Sequence, residues 1–326
     1  MSNEAGITQD EAAIYDRQIR LWGLDAQQRI QKAHILVAGV RALTDETCKN
    51  LALAGIGSLT LLDHTTVIPE DLGAHFFFKE NDIGKNRAVA AVPAIEALNP
   101  HVVVKVDEGN IADKDDAFFA EFDVVLLIHE KADILTRVNA IRKAQGKPFY
   151  AADAFGWFGY IFCDLNVHTY IEEKKSLPAG AKAGQDPVVT KTTCVEQYVT
   201  LNESLQKDWS SMSVKALKKR ISPLAFVMQM ILRFEQKHHH LPTQQELLDT
   251  KTQYLQELGI SDSTVVSDDL ISMALDLRET ELCPVASIVG GVLAQEIIKV
   301  LSAKELPISN WFFYNALDGT GLIHRL

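Results

Sequence analysis

Cysteine is scarce in this sequence: Cys48, Cys163, Cys194 and Cys283 are the only four, and no two form a C-x-x-C pair. That spacing excludes a zinc ribbon and a disulfide framework, and it predicts a reducing compartment. Basic residues are outnumbered, with 32 Lys and Arg against 43 Asp and Glu and a net charge of −11. A surface of that sign argues against nucleic acid or an anionic membrane as partner, because both need cationic side chains to displace counterions or meet headgroups. Long apolar stretches are lacking too. Met1 to Glu11 is polar and acidic without the apolar segment of a leader peptide, and no later run is expected to reach membrane-spanning length. Together these features predict a cytosolic or nuclear protein.

What is present is an ordinary globular composition, 47% hydrophobic and 23% charged over 326 residues, enough for a core with an added lobe. Thr8 and Glu11 form a capping box, and Ile14, Ile19, Leu21 and Trp22 lie along an amphipathic helix that Gly23 ends. A second short helix begins at Asp25. His34 to Ala38 and Ser58 to Leu62 read as buried strands around a helix from Thr44 to Ala54. The alternation continues with a helix at 84–98, strands at 102–106 and 123–128, a helix at 132–145 and a strand near 148–151. Strands alternating with helices predict an α/β fold, a Rossmann-like, mostly parallel sheet flanked by helices. Lys174 to Val188 has no periodic apolar positions. Beyond it Leu217, Ile221, Leu224, Val227, Met228, Ile231 and Leu232 recur at helical spacing. Val285 to Leu301 is a small-residue-rich helix, and Trp311 to Tyr314 with Leu322 to His324 predicts a hairpin. The resulting division is an N-terminal helical segment at 1–33, a Rossmann-like domain at 34–170, a mobile loop at 171–190, a small helical lobe at 191–280 and a return to the α/β core at 281–326.

The first strand-to-helix turn runs from Gly39 to Thr44, where a nucleotide-binding fold places G-x-G-x-x-G. Only the first glycine is present. The second normally lets phosphate approach backbone N–H groups and the third lets the helix pack close to the strand, whereas Arg41 and Thr44 put side chains at both places. Either Arg41 itself grips a phosphate or the pocket has decayed; the lost glycines favour decay, since added charge does not remove a steric obstacle. Asp63 ends the second strand where a carboxylate would accept hydrogen bonds from a ribose, but an Asp at a strand end is also a common turn former. No metal-ligand set stands out.

Tyr15-Asp-Arg-Gln-Ile-Arg-Leu-Trp-Gly23 is the most specific stretch, and it resembles the N-terminal helix of ubiquitin-like-activating enzymes and their bacterial adenylyltransferase relatives. Lys49 to Gly55, Leu61 to His64, Ile83 to Ala88, Ala94 to Pro100 and Gly290 to Lys299 carry the same resemblance. It spans roughly 9–165 and 280–326, and it makes 34–170 an adenylation-type domain. In that family, as the resemblance implies, two Rossmann-type halves pair; one binds ATP and the modifier, and the other contributes an arginine from this helix. By motif position the arginine is Arg17, presented in trans to the partner's ATP as an arginine finger is in phosphoryl transfer. The alternative is an Arg17 that merely pairs with a nearby carboxylate.

The chain departs from the family's catalytic halves. Leu72-Gly-Ala-His-Phe76 stands where they carry an Asn-Arg-Gln-type run, and the paired zinc cysteines and cysteine-bearing lobe find no counterpart. Cys194 sits among β-branched residues that predict a strand, and Cys283 precedes Pro284 at a helix start; neither has the surrounding acid and base groups of a thioester site. His238-His-His240 predicts an exposed turn, and Lys215 with Lys218-Lys-Arg220 predicts a solvated helix face that could also aid nuclear import. The resemblance therefore implies a non-catalytic subunit that holds no cofactor itself, with ATP, Mg and the catalytic cysteine on the partner, and with residence in the nucleus and also the cytoplasm. Its length fits the SUMO branch, with that branch's catalytic subunit and SUMO as partners, better than the neddylation branch, whose counterpart has a larger helical insertion. A self-sufficient adenylyltransferase homodimer and a pure scaffold remain as alternatives.

Overall fold

The computed structural model of the chain describes residues 13–176 and 188–326. Helices α1 (Asp16–Trp22) and α2 (Leu24–Lys32) meet at Gly23, whose φ of 91° turns the chain between them. There follow β1 (His34–Ala38), α3 (Ala42–Ala54), β2 (Ser58–Leu62), α4 (Arg87–Leu98), β3 (Val103–Asp107), the short α5 (Asp116–Phe119), β4 (Val124–Ile128), α6 (Ala132–Ala144) and β5 (Phe149–Phe155). Strands β6 (Phe158–Asp164), β7 (Val167–Ser176) and β8 (Val188–Gln197) precede helices α7 (Leu201–Leu205), α8 (Val214–Arg220), α9 (Pro223–His238), α10 (Gln244–Glu257) and α11 (Asp268–Asp276). The last elements are the long α12 (Cys283–Ser302) and the hairpin β9 (Trp311–Asn315) and β10 (Thr320–His324).

The main sheet has eight strands in the order β10-β9-β6-β5-β4-β1-β2-β3. From β3 to β5 the neighbours are parallel, and β6, β9 and β10 add antiparallel pairs. Its central strands β4 and β5 are buried along their whole length because both faces are covered, and Asp153 of β5 is their one charged residue. Ile35 and Val37 of β1 pack with α3, α4 and α12, while Leu36 and Ala38 face the opposite cluster, which holds α6 and the helices from α7 to α11. The helical lobe thus shares its core with one face of the sheet: the indole N–H of Trp311 on β9 donates to the Ser204 hydroxyl of α7 at 3.0 Å.

Three expectations need correction. The segment 171–190 is not loop throughout, since β7 reaches Ser176 and β8 starts at Val188, paired antiparallel from Val167↔Gln197 to Ser176↔Val188. The expected mobile loop between them lies outside the described residues, and the lobe starts at Leu201 rather than 191. Helix α12 is, by length and composition, long and apolar enough to cross a membrane, contrary to expectation. Here it backs the sheet, with Val285, Val289, Leu293 and Ile297 buried and Gly290 so close to α3 that a Cβ would lie 2.8 Å from Glu46 Cβ. The apolar residues of the N-terminal helix, finally, are covered only in part: Ile19 and Trp22 are half-buried, with Trp22 against the core, whereas Ile14 and Leu21 are 59% and 77% exposed. The Thr8–Glu11 capping box lies outside the described residues.

Arg142 of α6 is fully buried and gathers chain ends on one side of the sheet. Its guanidinium donates to the carbonyls of Phe119, Phe122, Asp123 and Pro148 at 2.6 to 3.3 Å. Burial pulls its pKa down to about 10, which leaves it charged at neutral pH. Arg142→Met would strand those carbonyls without donors, so we expect a loss of about 3–5 kcal/mol of unfolding free energy. Urea titration should show a lower midpoint at unchanged slope; an unchanged midpoint would exclude this role.

Candidate functional site

Strand order reverses between β1 and β4, and at the carboxyl ends of those strands open α/β sheets form their ligand crevice. The chain has a cleft of about 450 Å³ there, lined among others by Gly39, Arg41, Asp63, His129, Glu130 and Glu279. Gly39 is required by the geometry, because its φ is 90° and a Cβ would run into the Ile128 carbonyl.

The three backbone N–H groups after Gly39 all have partners within the chain. Val40 N–H donates to Asp63 Oδ2 at 2.7 Å, Arg41 N–H to Thr44 Oγ1 at 3.0 Å, and Ala42 N–H to Glu281 Oε1 at 2.7 Å. Thr44 in turn donates its hydroxyl to the Gly39 carbonyl at 2.6 Å. Asp63 is saturated on its other oxygen, which accepts from the N–H and hydroxyl of Thr65 at 2.8 and 2.6 Å. Arg41 does not point a free charge into the cleft: its Nε lies 3.3 Å from Glu281 and an Nη lies 3.9 Å from Glu279.

Behind this loop lies a group that sequence reasoning missed. His75 is buried between Asp45 of α3, with Nδ1 to Oδ1 at 3.2 Å, and Glu281, with Nε2 to Oε2 at 3.3 Å. Asp45 Oδ2 also accepts from the N–H groups of Phe76 and Phe77 at 2.9 and 3.1 Å. Burial alone would lower the His75 pKa, but the hydrogen bonds to Asp45 and Glu281 outweigh it and hold it at about 9. Asp71, His75 and Glu281 bring ligand atoms within 4.8 Å of one another. Two guanidinium groups already serve that set: Arg87 makes bonds of 2.7 to 3.1 Å to Asp71, and Arg41 pairs with Glu281.

A second cluster forms the cleft's far wall. His129 reaches Asp153 at 3.0 Å and Glu279 at 3.2 Å, Arg278 is hydrogen-bonded to the same Asp153, and its guanidinium stacks on Phe155 with 4.9 Å to the ring centroid. Burial would lower the pKa of His129 too, but Asp153 and Glu279 hold it at about 9, while burial beside Asp63 raises Glu130 to about 7. The cleft is thus a mosaic of compensated charges. Of the cysteines, Cys48 and Cys163 are buried, Cys194 is on β8 and Cys283 opens α12; none lines the cleft. His238 stacks on Phe234 at 4.2 Å, while His239 and His240 line the cleft.

Arg17 lies elsewhere, on α1. It is exposed and makes no hydrogen bond or ion pair with any described residue. Arg20, one turn on, pairs with Asp16 at 3.0 Å. Among the described residues, Arg17 therefore lacks the carboxylate partner weighed for it.

The sequence profile of the ThiF family matches residues 15–326, nearly the whole described chain. The chain belongs to the ThiF family. It is 38% identical to the SUMO-activating enzyme subunit 1 of Bos taurus over 98% of this chain and 96% of that one, and equally so to that of Homo sapiens. The Danio rerio protein of the same name is 36% identical over 97% of this chain and 95% of its own length. Among solved structures, the crystal structure of selenomethionine PaaA aligns with a TM-score of 0.59 at 16% identity, over 99% of this chain and 85% of that one, which is a likeness of fold. Family membership agrees with the α/β architecture that the strand and helix alternation predicts.

The raised pKa of His75 has a pH signature. With a folded pKa near 9 against an unfolded 6.5, its stabilising effect is fully present below pH 6.5 and is lost as pH rises through 9. His129 adds to the slope with the same sign. Thermal melts between pH 6 and 9.5 should show wild type losing up to about 3 kcal/mol more than His75→Gln across that window. Parallel pH profiles would mean that His75 is not held as an imidazolium.

Proposed function

We propose that this chain is the non-catalytic subunit of a heterodimeric SUMO-activating enzyme. It pairs with a catalytic subunit that binds ATP and Mg, and it supplies Arg17 across the interface while the SUMO C-terminus is adenylated. The thioester then forms on a cysteine of that partner. Near-full-length identity of 36–38% to proteins named SUMO-activating enzyme subunit 1 carries the assignment. Two features of the fold support the division of labour. The N–H groups that would cradle a phosphate are occupied by Asp63, Thr44 and Glu281, and Arg17 stands exposed with no ion-pair partner among the described residues.

In adenylation a carboxylate oxygen bonds to the α-phosphorus of ATP and pyrophosphate leaves. Negative charge shifts onto phosphate oxygens, and a planar guanidinium with paired donors meets them better than a point charge does. Work in the nucleus and also the cytoplasm fits this role, and the exposed face of helix α8, with Lys215 and Lys218 to Arg220, offers a basic stretch for import.

Calorimetry on the isolated chain should find ATP binding weak or absent; micromolar affinity would overturn the degenerate-cleft reading and favour a self-sufficient adenylyltransferase. In the purified heterodimer, Arg17→Ala should leave assembly intact and slow ATP–pyrophosphate exchange by about a hundredfold to a thousandfold. Arg17→Lys should recover only part of the rate, and Arg20→Ala should stay near wild type. Normal exchange by Arg17→Ala would leave the chain a scaffold.

A further inference from the structure

Helix α1 has only seven residues, none of them fully buried, and of its apolar side chains the half-buried Trp22 at its C-terminal end is the one that packs against the core. Neither helix propensity nor apolar packing therefore fixes its N-terminal half, where Arg17 lies. What fixes it is a set of polar contacts to the C-terminal end of α3, where helical carbonyls lack intrahelical donors. Three consecutive carbonyls there are taken by side chains. Asn99 Nδ2 donates to Ala52 O at 2.8 Å, Gln18 Nε2 to Leu53 O at 3.2 Å, and Gln27 Nε2 to Ala54 O at 2.9 Å. Gln18 and Gln27 belong to α1 and α2, so the glutamines tie both helices to α3.

Asn99 joins this set to the start of α1. Its amide also donates to the Tyr15 hydroxyl at 2.8 Å, and its Oδ1 accepts from His101 N–H at 3.1 Å. Tyr15 is 1% exposed, immediately precedes α1, and packs its ring over Gly55, where a Cβ would collide with the ring and φ is 78°. At the other end of α1, Trp22 donates its indole N–H to Gln27 Oε1 at 3.1 Å. Arg17 thus lies two residues from a buried tyrosine and next to a clamped glutamine.

We propose that Tyr15 and Asn99 are positioning residues for Arg17: through the Tyr15–Asn99–Ala52 chain of hydrogen bonds they fix the direction in which α1 presents the guanidinium to the partner's ATP. This rests on the in-trans role proposed above. Reacting groups misplaced by about 1 Å can cost on the order of a hundredfold in rate. A seven-residue helix held by a few hydrogen bonds is easily misplaced by that amount.

The test is a double-mutant cycle on the purified heterodimer, read as kcat and KM for ATP in ATP–pyrophosphate exchange. Asn99→Ala, and separately Tyr15→Phe, which keeps the ring over Gly55 and removes only the hydroxyl, should each lower kcat by about tenfold to a hundredfold. Assembly and KM should be unchanged. In an Arg17→Ala background the same substitutions should cost nothing further, because a group that acts through Arg17 has no effect once Arg17 is gone. Equal losses in both backgrounds, or wild-type kcat in assembled Tyr15→Phe and Asn99→Ala complexes, would overturn the positioning role alone. If Arg17→Ala itself exchanges normally, the in-trans reading fails and the positioning role with it. Should Asn99→Ala fail to assemble, the Tyr15→Phe arm decides the question.

Discussion

The positive end of helix α3 has to be met by negative charge, and in this chain the charge is built in. A helix start carries a partial positive charge of roughly half an elementary unit with N–H groups pointing outward, which is why such turns bind phosphates. Here Glu281, 239 residues away in sequence from Ala42, places a carboxylate oxygen 2.7 Å from its N–H. The same carboxylate meets Arg41 and His75, and His75 meets Asp45 on the first turns of α3. The segment between α11 and α12 is thereby tied to the start of α3, and α12 packs closely on α3 at Gly290.

That arrangement sets the character of the whole cleft. An entering phosphate would have to displace Glu281 from Ala42, after which the carboxylate would be left near Arg41 and a charged His75 beside a new anion. It would also meet Asp63, Glu130 and Glu279 on the cleft walls. Replacing a carboxylate already hydrogen-bonded in a buried site gains little, because the leaving group loses charge-assisted bonds as strong as those the newcomer makes. The broken glycine pattern and the internal carboxylate thus act in the same direction: the first narrows the space for phosphate, and the second satisfies the dipole without it.

Most of the sheet was legible in the sequence because its strands are buried on both faces. Runs such as His34 to Ala38 and Asp123 to Ile128 admit little but a covered strand, and helices of matching period separate them. The ribbon of β7 and β8 was hidden for the opposite reason. Its residues are largely solvated, and the lysine-rich composition near its tip reads as loop although the backbone is paired. Periodicity likewise gives the apolar face of α9 but not the surface it meets, so a lobe that shares its core with the sheet looked like an added unit. Of the site residues, Gly39, Arg41, Thr44 and Asp63 stood out because a known turn has fixed offsets. Asp45, His75, Glu279 and Glu281 did not, since the contacts that define them join distant segments and no spacing rule connects them.

Arg17 and Arg20 show how far chemistry can be read from a helix of this kind. Both lie on α1 three residues apart, and both would pass as solvated charges in a sequence. The fold separates them: Arg20 pairs with Asp16 one turn earlier, an i,i+4 pair worth only a few tenths of a kcal/mol, while Arg17 meets no carboxylate among the described residues. An exposed guanidinium costs little, because water solvates it. The cost arises in holding its helix still, since α1 packs little besides Trp22 against the core and leaves Leu21, and Ile14 just before it, in solvent. The chain meets that cost with Gln18, Gln27 and Asn99, all spent on the carbonyls of a single helix end. Such a helix is stiff where it joins the core and bare where it faces outward. That is the form expected of an element whose charge and apolar side chains are completed by a second subunit.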